Sequence, residues 1–508
     1  MLSLGYSYIN LYIYFVEIDD LEAYVMQQNQ KNEVRFVPIM IAIFFGSFIS
    51  TLSVSTINIA LPVLSEDFHA SLSTIQWTLT GFMLAMGTFA PVTGYFGERF
   101  SFKRLYIFAL SGFTVASILC GLSWDTTSLI TFRIMQGAFS GLIMPATMSI
   151  IFQVIPREKQ PLALSFWSVS SMLAPAIGPT FSGWLLDNFS WHWLFWMNVP
   201  IGIIGVLLIF PFIPYYRLNV PKSFDLIGFI TVIVSSSSLL VALSQGHSWG
   251  WLSGKALSLF SIGILFLLLF IWRELTAESP LLNLRVLKNG RYTTSLIVIC
   301  IITISLYSGT FLTPIFLQNI QRVTPLDTGL ILLPASLAMA FLTPFVGKMY
   351  SRTGPRVLLF IGITLMAAGT LPLSWLSVDV PHGYIVFWMI VRNLGIAFSM
   401  MPASTASMEQ IPKQLSGHAS SITNWTRNVF GSFAIAIFSS LLTSETTKHA
   451  ASLVKHGATN QTYIKMMSFT MSVNDVYFIA MLIVVVALPI CLFIPKRRQS
   501  EEPKRSAA

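Results

Sequence analysis

The chain has 508 residues, enough for about three ordinary soluble domains. Only 10% are charged, against roughly 25% in soluble globular proteins, while 54% are hydrophobic and mean hydropathy is +0.71. So few charges cannot furnish a water-facing surface, which excludes a soluble protein and leaves an all-α polytopic membrane protein.

The chain begins with Met1–Val16, uncharged but too short to cross a membrane, which takes about 20 apolar residues. It also lacks the basic region and small-residue cleavage site of a signal peptide. Met26 opens a polar, weakly basic lead-in, so residues 1–35 read as a cytoplasmic extension with Met26 as an alternative start. Uncharged stretches then begin near Phe36, Ala70, Leu105, Gln160, Asn188, Leu226, Ala256, Tyr292, Thr328, Val357 and Val476. Three more are each interrupted by one arginine: Thr126–Pro156 by Arg133, Val380–Met408 by Arg392, and Gln414–Ser444 by Arg427. Fourteen transmembrane helices are predicted, because a barrel would show short alternating strands around a polar lumen.

The basic residues set the orientation. With the N-terminus inside, 22 of the 30 Lys and Arg fall in the tails and cytoplasmic loops, and five lie outside. That asymmetry is the positive-inside pattern, and it places both termini in the cytoplasm. The net charge of +9 therefore reports topology and not a nucleic-acid partner. Cys120, Cys300 and Cys491 fall inside predicted spans, where they read as small apolar fillers. No zinc spacing, phosphate-binding loop or dinucleotide fingerprint occurs in a suitable context, and no stretch is polar enough for a nucleotide-binding domain.

Loops are short, so no extramembrane domain is predicted. The longest external segment, Glu445 to Asp475, reads as a solvated loop. Trp184, Trp191, Trp193, Trp196, Trp249 and Trp251 cluster at the predicted outer face, as an aromatic belt rather than a ligand cage. An internal repeat is visible. Gly94-Tyr-Phe-Gly-Glu-Arg-Phe-Ser-Phe-Lys-Arg104 recurs as Gly347-Lys-Met-Tyr-Ser-Arg-Thr-Gly-Pro-Arg356, and Arg133 recurs as Arg392. Two six-helix halves with two helices between them follow, as in transporters built by duplication. The halves are residues 36–216 and 292–495, the central pair with its linkers is 217–291, and 496–508 is a basic cytoplasmic tail.

Three segments carry chemistry. In the first loop Gly94 permits close packing, while Glu98 and Arg99 can pair or cap helix ends as a latch between the halves; Lys103 and Arg104 read as positive-inside charges. Arg133 lies ~13 Å below the outer edge at 1.5 Å per residue, with Gln136 on the same face. An arginine there costs at least ~2.5–3.5 kcal/mol, so it needs a polar cavity or a partner, or bonds backbone carbonyls structurally. In span five Pro175 and Pro179 remove ladder donors, and Gly178 and Gly183 let a neighbouring helix approach.

From about Arg35 to Arg498 the chain resembles the major facilitator superfamily, and within it the fourteen-span drug:proton antiporters of the EmrB/QacA type. The first loop resembles the superfamily's signature loop, with Glu98 where Asp is usual and Ser101 where Gly is usual. Met172-Leu-Ala-Pro-Ala-Ile-Gly-Pro-Thr-Phe-Ser-Gly183 resembles the antiporter signature G-P-x-x-G-G, which implies export. Trp77 with Thr80, Ser190–Gly202, Asp225–Gly228, and Asn424 with Arg427 resemble spans two, six, seven and thirteen of that family. The resemblance implies the major facilitator fold, 6 + 2 + 6 spans, and a proton-transfer role for Arg133. One departure stands out. The family's L-D-x-T-x-x-N-x-A-x-P reads Leu52-Ser-Val-Ser-Thr-Ile-Asn-Ile-Ala-Leu-Pro62, with Ser53 at the buried Asp position and Asn58 retained. No acidic residue lies mid-span; Asp187, Asp225 and Asp327 sit at span ends.

The expectation is a bacterial plasma-membrane exporter of small amphipathic molecules, driven by proton antiport, with a lipid or glycolipid flippase as the alternative. Lining residues are expected to be Ser53, Asn58, Trp77, Arg133, Gln136, Asn424 and Arg427. Protons are the expected coupling ion. No prosthetic group, metal or enzymatic activity is implied, and an accessory efflux partner is left open.

Overall fold

The computed structural model describes residues 36–494 except 71, 76, 218–222, 224, 279 and 410; the expected extension with Met26 and the basic tail lie outside the described residues. Helices in chain order are α1 (Phe36–Asp67), α2 (Trp77–Phe89), α3 (Thr93–Phe100), α4 (Phe102–Gly121), α5 (Thr126–Val154), α6 (Gln160–Asn188) and α7 (Asn198–Phe212). Then come α8 (Leu226–Trp249), α9 (Gly254–Thr276), α10 (Gly290–Asn319), α11 (Pro325–Thr353), α12 (Pro355–Thr370), α13 (His382–Met408), α14 (Ser416–Lys455) and α15 (Gln461–Cys491). The described residues contain no strand.

Twelve helical segments among the described residues are long and apolar enough to cross a membrane. Two further apolar segments run between the same two ends. One is α6, with 29 residues. The other is the second predicted span, where Pro91 lies in a 3-10 turn at Ala90–Val92 that interrupts α2 and α3. Proline has no amide to donate, so the ladder breaks there while the chain keeps its direction. Caps fix other starts. Asp125 accepts the Ser128 amide at 2.7 Å at the head of α5, and that bond holds its carboxyl below the usual range.

The stretch expected as an external loop is instead mostly helix. α14 continues to Lys455 and α15 begins at Gln461, so α14 spans 40 residues, ~60 Å. Polar composition marked exposure there, not loss of helix. Two of its side-chain pairs are close: Lys448 Nζ lies 2.7 Å from Glu445 Oε1, and His449 Nε2 lies 2.6 Å from Asp475 Oδ2. Within the expected tryptophan belt, Trp184 and Trp193 are exposed, but Trp191 is buried and donates to Asp67 at 2.7 Å.

The bundle has a basic end, where the 99–104 and 352–356 segments lie, and a far end carrying the tryptophans. At the basic end one apolar core runs across both halves, joining Tyr95, Phe102, Ile155 and Trp167 to Tyr292, Tyr350, Met408 and Ile422. At the far end the apolar clusters separate. Ile57, Leu129, Trp191 and Phe195 form one in the first half; Leu312, Phe316, Leu373 and Val473 form another in the second. One seam links the halves at both ends: Gly347 of α11 faces Ser165 and the Pro161 carbonyl of α6, and Gly183 of α6 faces Leu326 of α11.

Candidate transport pathway

Arg133 is fully buried within the first half. Its Nε donates to the Thr78 carbonyl at 2.9 Å, and Nη1 donates to Ser53 Oγ at 2.8 Å and Gln136 Oε1 at 2.7 Å. Nη2 reaches the Ser53 carbonyl at 3.3 Å, and the guanidinium lies 4.3 Å from the Phe82 ring centroid. Gln136 is held in turn by Ser117. The structure thus brings together Ser53, Arg133 and Gln136, with Trp77 beside the Thr78 carbonyl that Arg133 caps. Ser53, at the position of the family's aspartate, supplies a hydroxyl and a carbonyl. The cage therefore contains no carboxylate among the described residues. The side chain of Asn58 lies outside the described residues.

Arg392 repeats this arrangement in the second half. It is fully buried and donates to the carbonyl of Ser305, to that of Leu306 at 3.3 Å and to Ser308 Oγ at 3.3 Å. Backbone carbonyls of a neighbouring helix take up both guanidinium groups, although Arg392 Nε has no hydrogen-bond partner among the described residues.

Asn424 and Arg427 form a second group, at the junction of the halves. Asn424 Nδ2 approaches Met148 Sδ of α5 at 3.6 Å, and the Arg427 guanidinium lies 6.0 Å from the Trp167 ring of α6. Tyr307 of α10 packs over Gly431, one turn beyond Arg427. Arg427 is partly exposed and has no ion pair or hydrogen bond among the described residues. Met148, Trp167 and Tyr307 were not legible as neighbours of Asn424 and Arg427, because single aromatic or sulfur side chains in apolar helices carry no pattern. A surface cleft of about 480 Å³ at the far end, lined by Arg322, Asp327 and His382, includes none of the expected residues.

The expected latch divides. Glu98 is buried, and its Oε1 lies 3.1 Å from His418 Nε2 at the head of α14, in the opposite half. The Asn283 amide donates to His418 Nδ1 at 3.3 Å. Gly94 makes this approach possible, since a Cβ there would sit 3.3 Å from the His418 backbone. Nearby Gln153 of α5 donates to Ser416 Oγ at 2.7 Å, a second polar tie across the halves. Lys103 and Arg104 make contacts within the first half: Lys103 donates to the Phe210 carbonyl at 2.9 Å, and Arg104 sits over Tyr215 at 4.7 Å. Arg99 is exposed at the end of α3.

Of the predicted kink, Gly183 faces α11, and Gly178 packs against Ser55 of α1, 2.7 Å from the place of a Cβ to Ser55 Cβ. The side chains of Pro175 and Pro179 lie outside the described residues. Gly178→Leu should therefore force α1 and α6 apart inside one half, at a cost of ~1–3 kcal/mol of overpacking, with a lower melting temperature and lost transport. A wild-type melting temperature in that variant would show that the contact yields.

Residues 43–435 match the family model of the Major Facilitator Superfamily. The chain belongs to this superfamily. It is 32% identical to the uncharacterized MFS-type transporter YhcA of Bacillus subtilis, over 85% of this chain and 81% of that one. It is 29% identical to the colistin resistance protein EmrB of Acinetobacter baumannii, over 84% and 85%. Among solved structures it is similar to the proton:xylose symporter XylE, with a TM-score of 0.60 and 14% identity over 91% of this chain and 96% of that one, a likeness of fold. The chain is thus a multi-pass integral membrane transporter, with relatives among bacterial drug-resistance exporters of the EmrB type.

Proposed function

We propose that the protein is a proton-driven exporter of amphipathic small molecules in a bacterial plasma membrane, spanning it fourteen times with both termini and the basic end in the cytoplasm. The observation that carries this reading is that one apolar core spans both halves at the basic end, whereas each far-end cluster stays within one half. Such asymmetry is expected of an alternating-access carrier closed at the basic end, with the α6–α11 seam still holding the halves together at the far end. The kinship with a colistin resistance protein supports export as the direction. Proteoliposomes test it: an imposed pH gradient should drive accumulation of substrate against its own gradient, and indifference to the gradient would refute antiport.

Charge at the junction bears on the cargo. Among the described residues Arg427 has no counter-ion there, and the Arg133 cage holds no carboxylate. A dication at that depth would be unpaired in a low dielectric, which is very costly. Neutral, zwitterionic or anionic amphiphiles should be carried in preference to dicationic analogues of similar size. Equal or faster export of the dication would sink this expectation, and Asp327→Asn would then test whether a span-end acid reaches the cavity.

A further inference from the structure

The central pair α8 and α9 belongs to neither half. α9 turns Leu257, Leu265, Leu268, Trp272 and Leu275 outward, yet Glu274 in its last turn is only 1% exposed. Sequence reading passed over it, because Arg273-Glu274 looks like the charged flank of a span. Glu274 Oε2 accepts the Leu282 amide at 2.9 Å, and Oε1 has no hydrogen-bond partner among the described residues. Oε1 converges on Gly228 with Asp225 Oδ2: a Cβ on Gly228 would lie 2.6 Å from the first and 2.8 Å from the second. Asp225 is already neutralised, since Arg273 Nε donates to both its oxygens at 3.0 and 3.1 Å and the Gly228 amide caps it at 3.0 Å. One guanidinium serves one carboxylate. A second buried charge beside them would be unpaired, so the cluster balances when Glu274 carries a proton.

Two further features connect this carboxyl to the transport pathway. Along α8, Thr231 and Ser235 are buried and follow Gly228 at steps of about one turn, and Ser235 Oγ donates to the Gly263 carbonyl of α9 at 3.0 Å. The next residue, Ser236, accepts from Trp425 Nε1 at 2.9 Å, two positions from Arg427. Three buried hydroxyls of α8 thus lie between the junction of the halves and Glu274, Ser236 turned to α14, Ser235 to α9 and Thr231 to the Gly228 carbonyl. On the other side, the segment Glu274 holds at Leu282 continues to Asn283, whose amide meets His418, and His418 faces Glu98.

We propose that Glu274 is the coupling-proton site of this exporter, reached from the junction along Ser236, Ser235 and Thr231; this rests on the antiport reading above. In the sealed state the Glu274 carboxylate takes one proton from the outward-facing junction and becomes a neutral acid. When the basic end opens, the 282–283 segment parts from His418, water reaches the carboxyl, and the same proton leaves to the cytoplasm. No other bond changes. The ionisable groups facing Glu274 among the described residues are Asp225 and Arg273, with His418 and Glu98 beyond the segment; Arg285 and Lys288 on the adjoining turn are exposed.

Glu274→Gln tests this, because glutamine can still accept the Leu282 amide and cannot ionise. In proteoliposomes a gradient of about one pH unit supports about tenfold accumulation per proton exchanged. E274Q should lose that accumulation while retaining substrate-for-substrate exchange, which also reports a folded carrier. Substrate affinity should weaken as pH falls in the wild type and be flat in E274Q. Glu274→Asp should keep both dependences, and Thr231→Val should slow gradient-driven uptake. Gradient-driven accumulation undiminished in E274Q would overturn the assignment and leave the antiport reading intact. A wild-type chain that ignores the gradient would refute antiport, and with it the coupling role. If E274Q lacks exchange activity, the binding titration of Glu274→Asp decides: affinity independent of pH in that variant overturns the assignment.

Discussion

Arg133→Ala is expected to cost at least about 3 kcal/mol of stability, because several buried acceptors lose their donor at about 1–3 kcal/mol each. The variant loses donors to the Thr78 carbonyl, Ser53 Oγ and Gln136 Oε1, and leaves those acceptors in a site with no access to water. It also removes a cation from the face of Phe82. Thermal melting of the purified chain, with transport measured in parallel, checks this. A substantially lowered melting temperature together with lost transport is expected, with Arg133→Lys intermediate because one ammonium cannot reach both Thr78 and Gln136. A variant that melts like the wild type but no longer responds to a proton gradient would instead assign the arginine to coupling.

Gly94→Leu should act on conformation and not on the fold. The Gly94 backbone lies so close to α14 that even a Cβ would stand 3.1 Å from His418 Nδ1 and 3.3 Å from the His418 backbone. A leucine can be housed only if the halves part at the basic end. Overpacking of ~2 kcal/mol confined to the sealed state would lower its population about thirtyfold relative to the open one. A cysteine pair at Gln153 and Ser416, whose side chains meet across the halves at 2.7 Å, reports the seal. Cross-linking should be efficient in the otherwise wild-type chain and suppressed by Gly94→Leu, with transport lost as well. Cross-linking unaffected by the leucine would mean the latch is not at this contact.

Much of the architecture is legible in the sequence, because lipid imposes a strong rule: segments of about 20 uncharged residues must be helices. The Arg133–Gln136 pairing was also legible, since residues three apart share a face, and the Ser53 substitution announced a cage without an acid. What could not be read depends on distant pairing. Glu98 meets His418, about 320 positions away, and no local pattern links them. Glu274 was hidden for a different reason. A charged residue at a span end is usually solvated, and only the tertiary packing of α8, α9 and the 281–283 segment buries this one. The polar 445–475 stretch misled because serine, threonine, lysine and histidine signal exposure while remaining compatible with helix.

The central claim, that substrate leaves as protons enter, is tested most directly by following protons themselves. Proteoliposomes holding a pH-sensitive dye and no imposed gradient would be given an outward gradient of a neutral substrate. The account predicts acidification of the lumen as substrate leaves, in fixed ratio to the substrate moved and absent in E274Q. Substrate efflux at an undiminished rate with no change in luminal pH would contradict it.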